Sequence, residues 1–273
     1  MQQVTSIEQL QVLSAEIRAK RQGFVTNFYL DEEKHQVWIA RGDCYATNIG
    51  STLFIVKKSH TFWNVFYCST TIEQLSSDLQ LFTSQQPQQT LVFDVVGRET
   101  QCLPMVDMFK HNGYTEATSL VRMSRMTEPM TYTPDHSVRK AKKSEVSNIH
   151  TLLHQYFNEQ TEQIPYLEEL EKYADQGHIL VCEEMEKIVG FLIYELNATT
   201  LYLRYWFALP AFRDKKVGSR LLRRFFEEGK ETKRQLFWVI RTNENAIKRY
   251  KHYGFLEENL YDYVMRYQQE RTK

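Results

Sequence analysis

The stretch that decides the fold is Phe207-Ala-Leu-Pro-Ala-Phe-Arg-Asp-Lys-Lys-Val-Gly-Ser-Arg-Leu-Leu222. It reads as the end of an apolar strand, a cation-rich loop and then an amphipathic helix. The first N–H groups of a helix have no partner within it and lie at the positive end of its dipole. The sequence therefore predicts a binding site for an anion such as a diphosphate at the start of this helix. Four apolar residues are predicted to share the buried face of the helix: Val217, Leu221, Leu222 and Phe225.

A second motif follows, Asn243-Glu-Asn-Ala-Ile-Lys-Arg-Tyr-Lys-His-Tyr-Gly-Phe255. Together the two segments resemble the acyl-CoA-binding core of the GNAT superfamily of N-acyltransferases. Its loop reads Arg/Gln-x-x-Gly-x-Gly/Ala, matched here by Arg213-x-x-Lys216-x-Gly218, and its later helix reads Asn-x-x-Ala-x-x-x-Tyr-x-x-x-Gly-Phe. Lys216 stands where the family has its first glycine. If that position needs a positive φ, a lysine is a handicap.

The resemblance implies an α/β (α+β) fold with a mixed, mostly antiparallel sheet flanked by helices. A shorter match suggests that this fold occurs twice, because Phe109-Lys-His-Asn-Gly-Tyr114 parallels Tyr250-Lys-His-Tyr-Gly-Phe255 in the same strand–helix–strand order. The first copy lacks a glycine and a cation at 70–75 and has Phe109 in place of the tyrosine. We therefore expect a degenerate GNAT-like domain at 1–128, a linker at 129–136 and a GNAT acyltransferase domain at 137–273.

The implied cofactor is acetyl-CoA or another short acyl-CoA, held at its pyrophosphate by backbone N–H groups of the loop and the first helical turn. The resemblance places these residues at the cofactor: Ala208, Arg213, Lys215, Lys216, Val217, Gly218, Ser219 and Asn243. A solvated basic turn is the alternative for the loop, and a simple helix N-cap is the alternative for Asn243.

Two residues are expected to move protons. Tyr250 occupies the family's general-acid position and, as a phenol protonated at neutral pH, would protonate the departing CoA sulfur. A core aromatic is its alternative role, since it lies at helical spacing from Ala246. The strand before the loop has no carboxylate at its end, so Glu195 on the preceding strand is the candidate base, with Glu183 as a substitute. Both are also explained as solvated strand residues.

The expected acceptor is the primary amine of a small molecule or peptide. It would enter between the two copies near Tyr205 and Trp206 and near the acidic helix around Glu168 and Glu169, whose charge favours a cationic acceptor. Two other functions remain open. A non-catalytic acyl-CoA-binding module is suggested by Lys216, and a Fem-type aminoacyl transferase pairs two GNAT-like domains but uses charged tRNA.

Composition limits the partners and the location. At 273 residues the chain is long enough for two ordinary domains. Lys and Arg together number 34, as do Asp and Glu, so no overall basic charge favours nucleic acid. No segment approaches the ~20 apolar residues of a membrane span, and no signal peptide is recognisable. We expect a cytoplasmic monomer or homodimer without membrane or nucleic-acid partners.

Cysteine and histidine spacing predicts no metal. His150 and His154 share one helix face, but no third ligand is indicated, and we interpret them as ordinary histidines. Four widely spaced cysteines are predicted to be reduced core thiols: Cys44, Cys68, Cys102 and Cys182.

Elsewhere the hydrophobic pattern predicts conventional helices and strands. Three of these predictions bear on the structure below. The run 36–40 is predicted as a strand, Pro104 is placed in the first turn of a helix that Gly113 ends, and the chain closes with two strands at 255–258 and 261–267.

Overall fold

The computed structural model describes residues 1–86, 88–128 and 135–268, apart from the side chain of Arg213. The chain forms two compact units. Unit 1 comprises Met1–Leu120 together with the segment from Asn259, and unit 2 comprises Val121–Glu258. This division differs from the predicted 1–128 and 137–273, because the last strand of the chain belongs to unit 1. Most of the predicted linker lies outside the described residues.

Unit 1 alternates helices with the strands of one sheet. Its elements are β1 (Gln2–Gln3), α1 (Ile7–Ala19), β2 (Val25–Thr26), α2 (Glu32–Ala40), β3 (Cys44–Ile49), β4 (Thr52–Lys58), β5 (Trp63–Ser69), α3 (Ile72–Ser84), β6 (Leu91–Gly97), α4 (Glu99–His111) and the first part of β7 (Thr115–Met126).

From β9 onward, unit 2 has the same order of strands and longer helices as unit 1 has from β3 onward. Its elements are β8 (Val138–Lys140), a 3-10 turn (Lys143–Glu145), α5 (Val146–Tyr156), α6 (Glu159–Glu162), α7 (Leu167–Asp175), β9 (Ile179–Glu184), β10 (Lys187–Asn197), β11 (Thr200–Ala208), a 3-10 turn (Pro210–Lys215), α8 (Val217–Glu228), β12 (Arg234–Ile240), α9 (Glu244–His252) and the start of β13 (Leu256–Tyr267).

The sheet of each unit is mostly antiparallel, with one parallel neighbour pair. In unit 1 the order is β1-β3-β4-β5-β6-β13, and among these described pairs only β5 and β6 run parallel. In unit 2, which includes residues 121–126 of β7, the order is β7-β12-β11-β10-β9-β8, and β11 and β12 run parallel. The predicted fold class is thus confirmed: a mixed, largely antiparallel sheet flanked by helices.

The core of unit 2 has two sides. Helices α5 and α7 cover one face of the sheet, where Leu153 and Leu170 pack on Phe191 and Tyr205. Helix α8 covers the other face and buries all four of its predicted apolar residues. The amphipathic pattern read from the sequence therefore fixes which face of α8 meets the sheet. Within the described residues, no helix combines the length and the apolar character needed to span a membrane.

The structure corrects three predicted elements. The run 36–40 belongs to helix α2, which begins where the Asp31 side chain accepts the Lys34 N–H. Pro104 lies in the interior of α4, because that helix begins at Glu99. The two closing strands are one strand, β13, in which Asn259 takes a positive φ of 46°. The prediction that the four cysteines are buried and free is confirmed.

Candidate active site

The candidate site lies where two parallel strands of unit 2 stop pairing. Strand β11 pairs with β12 from Thr200↔Arg234 to Tyr202↔Leu236 and no further, although β11 continues to Ala208 and β12 to Ile240. The register of β11 against β10 shifts at the same level, which leaves Arg204 as an extra residue. Unpaired strand edges need other hydrogen-bond partners. The gap can therefore accept an extended ligand with amide groups.

Helix α8 begins beside this gap, directly after a left-handed residue. Lys216 has φ 59° and ψ 20°, and it joins the 3-10 turn to the first turn of α8. A side chain in this region of the backbone costs about 1–2 kcal/mol. The position where the family carries glycine therefore requires a positive φ in this chain, which is the condition under which a lysine is a handicap.

Replacing Lys216 should stabilise the protein. We expect Lys216→Gly to raise the free energy of unfolding by about 1 kcal/mol, because glycine adopts positive φ without the steric cost. Urea denaturation measures this. Lys215→Gly is the matched control, since it removes the same charge from the 3-10 turn and should destabilise the protein. Equal effects of the two variants would show that backbone strain at Lys216 is unimportant.

The cations around the loop are largely paired with carboxylates. Lys215 Nζ lies 3.2 Å from Glu184 Oε2, and Arg220 Nη1 lies 3.0 Å from Glu184 Oε1. These two partners hold the pKa of Glu184 below its ordinary value. Lys216 itself is exposed, and the backbone of Arg213 lies in the 3-10 turn. An anion here would depend mainly on the N–H groups of the first turn of α8.

Close approach of Trp206 explains Gly218. Trp206 Nε1 donates to the Gly218 carbonyl oxygen at 3.1 Å, and a Cβ on Gly218 would lie 3.0 Å from Trp206 Cζ2. The next residue, Ser219, accepts a hydrogen bond from Tyr253 Oη at 2.9 Å, which ties α8 to the end of α9. Gly218 thus serves packing at this position, whereas the predicted need for positive φ falls on Lys216.

Tyr250 lies beside the gap. Its ring centroid is 4.2 Å from that of Phe237 on β12 and 5.5 Å from that of Trp206 on β11. Burial raises the pKa of Tyr250 to about 12, so the phenol keeps its proton at neutral pH. Asn243 caps α9, accepting the Ala246 N–H on Oδ1 at 3.1 Å. The structure therefore brings Tyr250 together with Trp206, and gives Asn243 the role of a helix cap.

The two candidate bases are both held by neighbours. Glu195 Oε1 accepts a hydrogen bond from Tyr173 Oη at 2.5 Å and lies 3.5 Å from Arg204 Nε. Glu183 accepts a hydrogen bond from Arg139 Nε at 3.0 Å. Glu195 lies opposite Tyr202 in the β10–β11 register, at the level where β11 leaves β12. Glu183 lies on β9, two strands from β11.

The segment before α7 forms a wall on β11. Tyr205 Oη donates to the carbonyl oxygens of Glu162 and Gln163 at 2.7 and 3.1 Å, so this predicted substrate residue fixes the segment in place. Glu162, which no sequence motif singled out, is a half-buried carboxyl, and burial raises its pKa. Glu168 is exposed in the first turn of α7, and Glu169 accepts the Tyr166 N–H at 2.8 Å.

The histidine pair is close in space. His150 Nε2 and His154 Nε2 are 3.0 Å apart, and His154 Nδ1 lies 2.5 Å from Glu159 Oε1. Within the described part of the chain, no group of three or more histidine, cysteine or acidic side chains has an arrangement able to hold a metal ion.

The C-terminal unit matches a known family. The model of the acetyltransferase (GNAT) family covers residues 146–255, which include the gap, the start of α8 and Tyr250. These residues form a GNAT domain. The match supports acyl transfer in general for this domain, and GNAT proteins generally bind acetyl-CoA or another acyl-CoA. No curated protein matches the chain.

Solved structures share the fold over most of the chain. A GCN5-related N-acetyltransferase from Sphaerobacter thermophilus gives a TM-score of 0.60 at 12% identity, covering 79% of this chain and 76% of that one. A GNAT-family acetyltransferase from Colwellia psychrerythraea gives 0.56 at 12% identity, covering 98% and 99%. A tandem GNAT protein from the clavulanic acid biosynthesis pathway gives 0.55 at 9% identity, covering 81% and 80%. At these identities the likeness concerns the fold alone.

Unit 1 has a comparable gap, but its own chain fills it. Strand β5 pairs with β6 only at Trp63↔Leu91 and Asn64↔Val92. Beyond these pairs Asn27 bridges the strands: its Nδ2 donates to the Asp94 carbonyl oxygen at 3.0 Å, and its Oδ1 accepts the Tyr67 N–H at 2.7 Å. The Thr71 side chain caps the following helix, α3. The described residues of the GNAT domain show no such contacts across the corresponding gap. This difference supports the prediction of a degenerate first copy.

Proposed function

We propose that the GNAT domain transfers an acetyl or other short acyl group from acyl-CoA to a primary amine. The observation that carries this proposal is the unpaired stretch of β11 and β12, where Trp206 of β11 contacts both the first turn of α8 and the Tyr250 ring. The gap supplies strand edges for the extended arm of the cofactor, and α8 supplies N–H groups for its pyrophosphate.

The residues proposed for the cofactor all lie around this gap. Backbone groups of Ala208 and of 216–219 would hold it, with Lys215 beside the phosphates. The side chain of Arg213, which the sequence also assigned to the cofactor, lies outside the described part of the chain. A thioester supplies an activated acyl carbon and a sulfur leaving group. Holding this carbon next to an amine converts a bimolecular reaction into a local one, which is the largest contribution we assign to the protein.

Two proton transfers complete the proposed reaction. As the new C–N bond forms and the C–S bond breaks, the amine loses a proton and the sulfur needs one. We propose that Glu195, which lies beside Arg204 and Tyr173, accepts the proton from the amine. Tyr250, whose high pKa keeps its proton available, donates a proton to the sulfur. The acceptor would lie along Trp206 and the wall fixed by Tyr205, near Glu168.

The test is a calorimetric titration of the purified chain with acetyl-CoA, followed by detection of released CoA thiol with a panel of amines. We expect micromolar affinity, one site per chain and amine-dependent release. Binding of acetyl-CoA without release of CoA on any amine would favour the non-catalytic acyl-CoA-binding module, which Lys216 also suggests. Absence of acetyl-CoA binding would overturn the proposal. Salt-sensitive binding of charged tRNA would then favour the aminoacyl transferase.

A further inference from the structure

Three arginines lie on one face of the unit 2 sheet, beside the place where β11 and β12 stop pairing. Phe237 on β12 faces Tyr250 of α9. Neighbouring strand residues face opposite sides, so Arg234 and Trp238 lie on the other face. The Arg122 guanidinium carbon is 5.8 Å from the Trp238 ring centroid, which places it on that face too.

The third arginine joins this set through Tyr202. Leu201 is directed toward Gly229 at the end of α8, so Tyr202 faces the opposite side of the sheet. The Arg204 guanidinium carbon lies 5.2 Å from the Tyr202 ring centroid. We call the set the arginine band, defined by five residues: Arg122, Tyr202, Arg204, Arg234 and Trp238.

The arginine band has more positive than negative charge. Glu258 accepts hydrogen bonds from both Arg122 and Arg234, and Glu195 is the carboxylate beside Arg204. The three guanidinium groups thus form their ion pairs with two carboxylates. The three arginine side chains are only 21 to 32% exposed, so water screens this imbalance weakly. Burial lowers the pKa of Arg122 and of Arg234, and in Arg234 the nearby charge of Arg122 adds to the effect.

The position of the band matters as much as its charge. Tyr202 and Leu236 form the last pair before the gap, and Arg204 and Trp238 are the second residues beyond it, one on each strand. The band therefore flanks the gap on the face away from α8 and α9. Guanidinium groups bind carboxylates and phosphates through two parallel hydrogen bonds, and the two aromatic rings supply flat apolar walls.

We propose that the arginine band binds an anionic group of the acceptor, so that the substrate is an amine that also carries a carboxylate or a phosphate. This inference rests on the proposed acyl transfer and names its substrate class. It differs from the purely cationic acceptor suggested by the acidic first turn of α7, because it adds an anionic group to the amine. A zwitterionic amine satisfies the band and still presents its nucleophile to the gap.

Matched pairs of amines test the charge preference. With saturating acetyl-CoA, we compare β-alanine with β-alaninamide and O-phosphoethanolamine with ethanolamine. In at least one pair, the anionic amine should have a kcat/KM at least ten-fold higher than its neutral counterpart. The pair that shows this difference identifies carboxylate or phosphate as the preferred anion. Arg122→Gln and Arg234→Gln should each reduce that preference about ten-fold. Either variant leaves Glu258 paired with the remaining arginine, so both should fold.

The control is Arg224→Gln on α8. Arg224 has the same 29% exposure as Arg122 and likewise pairs with carboxylates, Glu227 and Glu228, outside the band. This variant should keep the full preference for the anionic amine. Acetyl-CoA affinity should be unchanged in all three variants, which separates loss of acceptor binding from loss of the cofactor site.

A second measurement does not depend on turnover. Calorimetry at constant ionic strength should detect binding of succinate or inorganic phosphate to the wild-type protein saturated with acetyl-CoA, and at least ten-fold weaker binding to Arg122→Gln and Arg234→Gln. Equal rates for charged and neutral amines would overturn the inference while leaving acyl transfer intact. Failure of the wild type to bind either anion would also overturn it. Failure to bind acetyl-CoA would instead remove the proposed function.

Discussion

Tyr250→Phe is expected to lower kcat about 10²–10³-fold at pH 7, within the range for loss of a general acid. Phenylalanine keeps the ring contacts with Phe237 and Trp206, so acetyl-CoA affinity should stay within about two-fold. Because the pKa of Tyr250 is about 12, its protonated form persists throughout the neutral and moderately alkaline range. The wild-type kcat should therefore show no fall due to this group below about pH 11.

Tyr194→Phe is the control for this prediction. The Tyr194 hydroxyl shares its one hydrogen between the Gly177 carbonyl oxygen and the Glu228 carboxylate, so its loss should reduce stability without changing kcat. Steady-state kinetics of both variants, with calorimetric titration of acetyl-CoA, measures the contrast. A Tyr250→Phe enzyme with wild-type kcat would exclude the phenol as the acid, and a loss confined to acetyl-CoA affinity would make Tyr250 a packing residue of the gap.

Gly190→Ala should destabilise unit 2 and disturb the start of α8. Gly190 pairs with Ala208 at the end of β11, and an added Cβ would lie 2.6 Å from Val217 Cγ1 and 2.7 Å from the Phe207 carbonyl oxygen. The carbonyl belongs to a paired strand, so α8 must move instead. We expect a loss of about 1–3 kcal/mol in the free energy of unfolding and weaker acetyl-CoA binding.

Gly97→Ala supplies the comparison for urea denaturation and titration. Gly97 ends β6 of unit 1, where an added Cβ would lie 3.2 Å from Cys102 Sγ, a milder contact with a side chain. This variant should lose less stability and bind acetyl-CoA normally. If Gly190→Ala also bound acetyl-CoA normally, cofactor binding by the first turn of α8 would not depend on the packing of that turn against β10.

Local sequence patterns were sufficient for the elements that place the proposed cofactor. The apolar spacing in α8 predicted its buried face, and Gly113 and Gly254 lie just past their helices with the same φ of 83°. In contrast, the run 36–40 looked like a strand because it contains three consecutive apolar residues, Val37, Trp38 and Ile39. All three are buried in the helix. The Asp31 cap was the signal for a helix there.

The acceptor side was beyond sequence reasoning for a geometric reason. Arg122, Arg204 and Arg234 lie on three strands far apart in the chain, and only strand register brings them to one face. A strand shifted by one residue would turn its arginine to the opposite side. Glu162 is a second example, since its half-buried carboxyl belongs to a segment that is held to Tyr205 of β11, far away in the chain.

The bridge made by Asn27 has a thermal consequence. A ligand stabilises only the state that binds it, by an amount that grows with ligand concentration above Kd. Because Asn27 already occupies the strand edges of the unit 1 gap, acetyl-CoA would find its partners in unit 2 alone. Acetyl-CoA should therefore raise the melting temperature of the GNAT domain. The melting temperature of unit 1 should rise only to the extent that the two units unfold cooperatively.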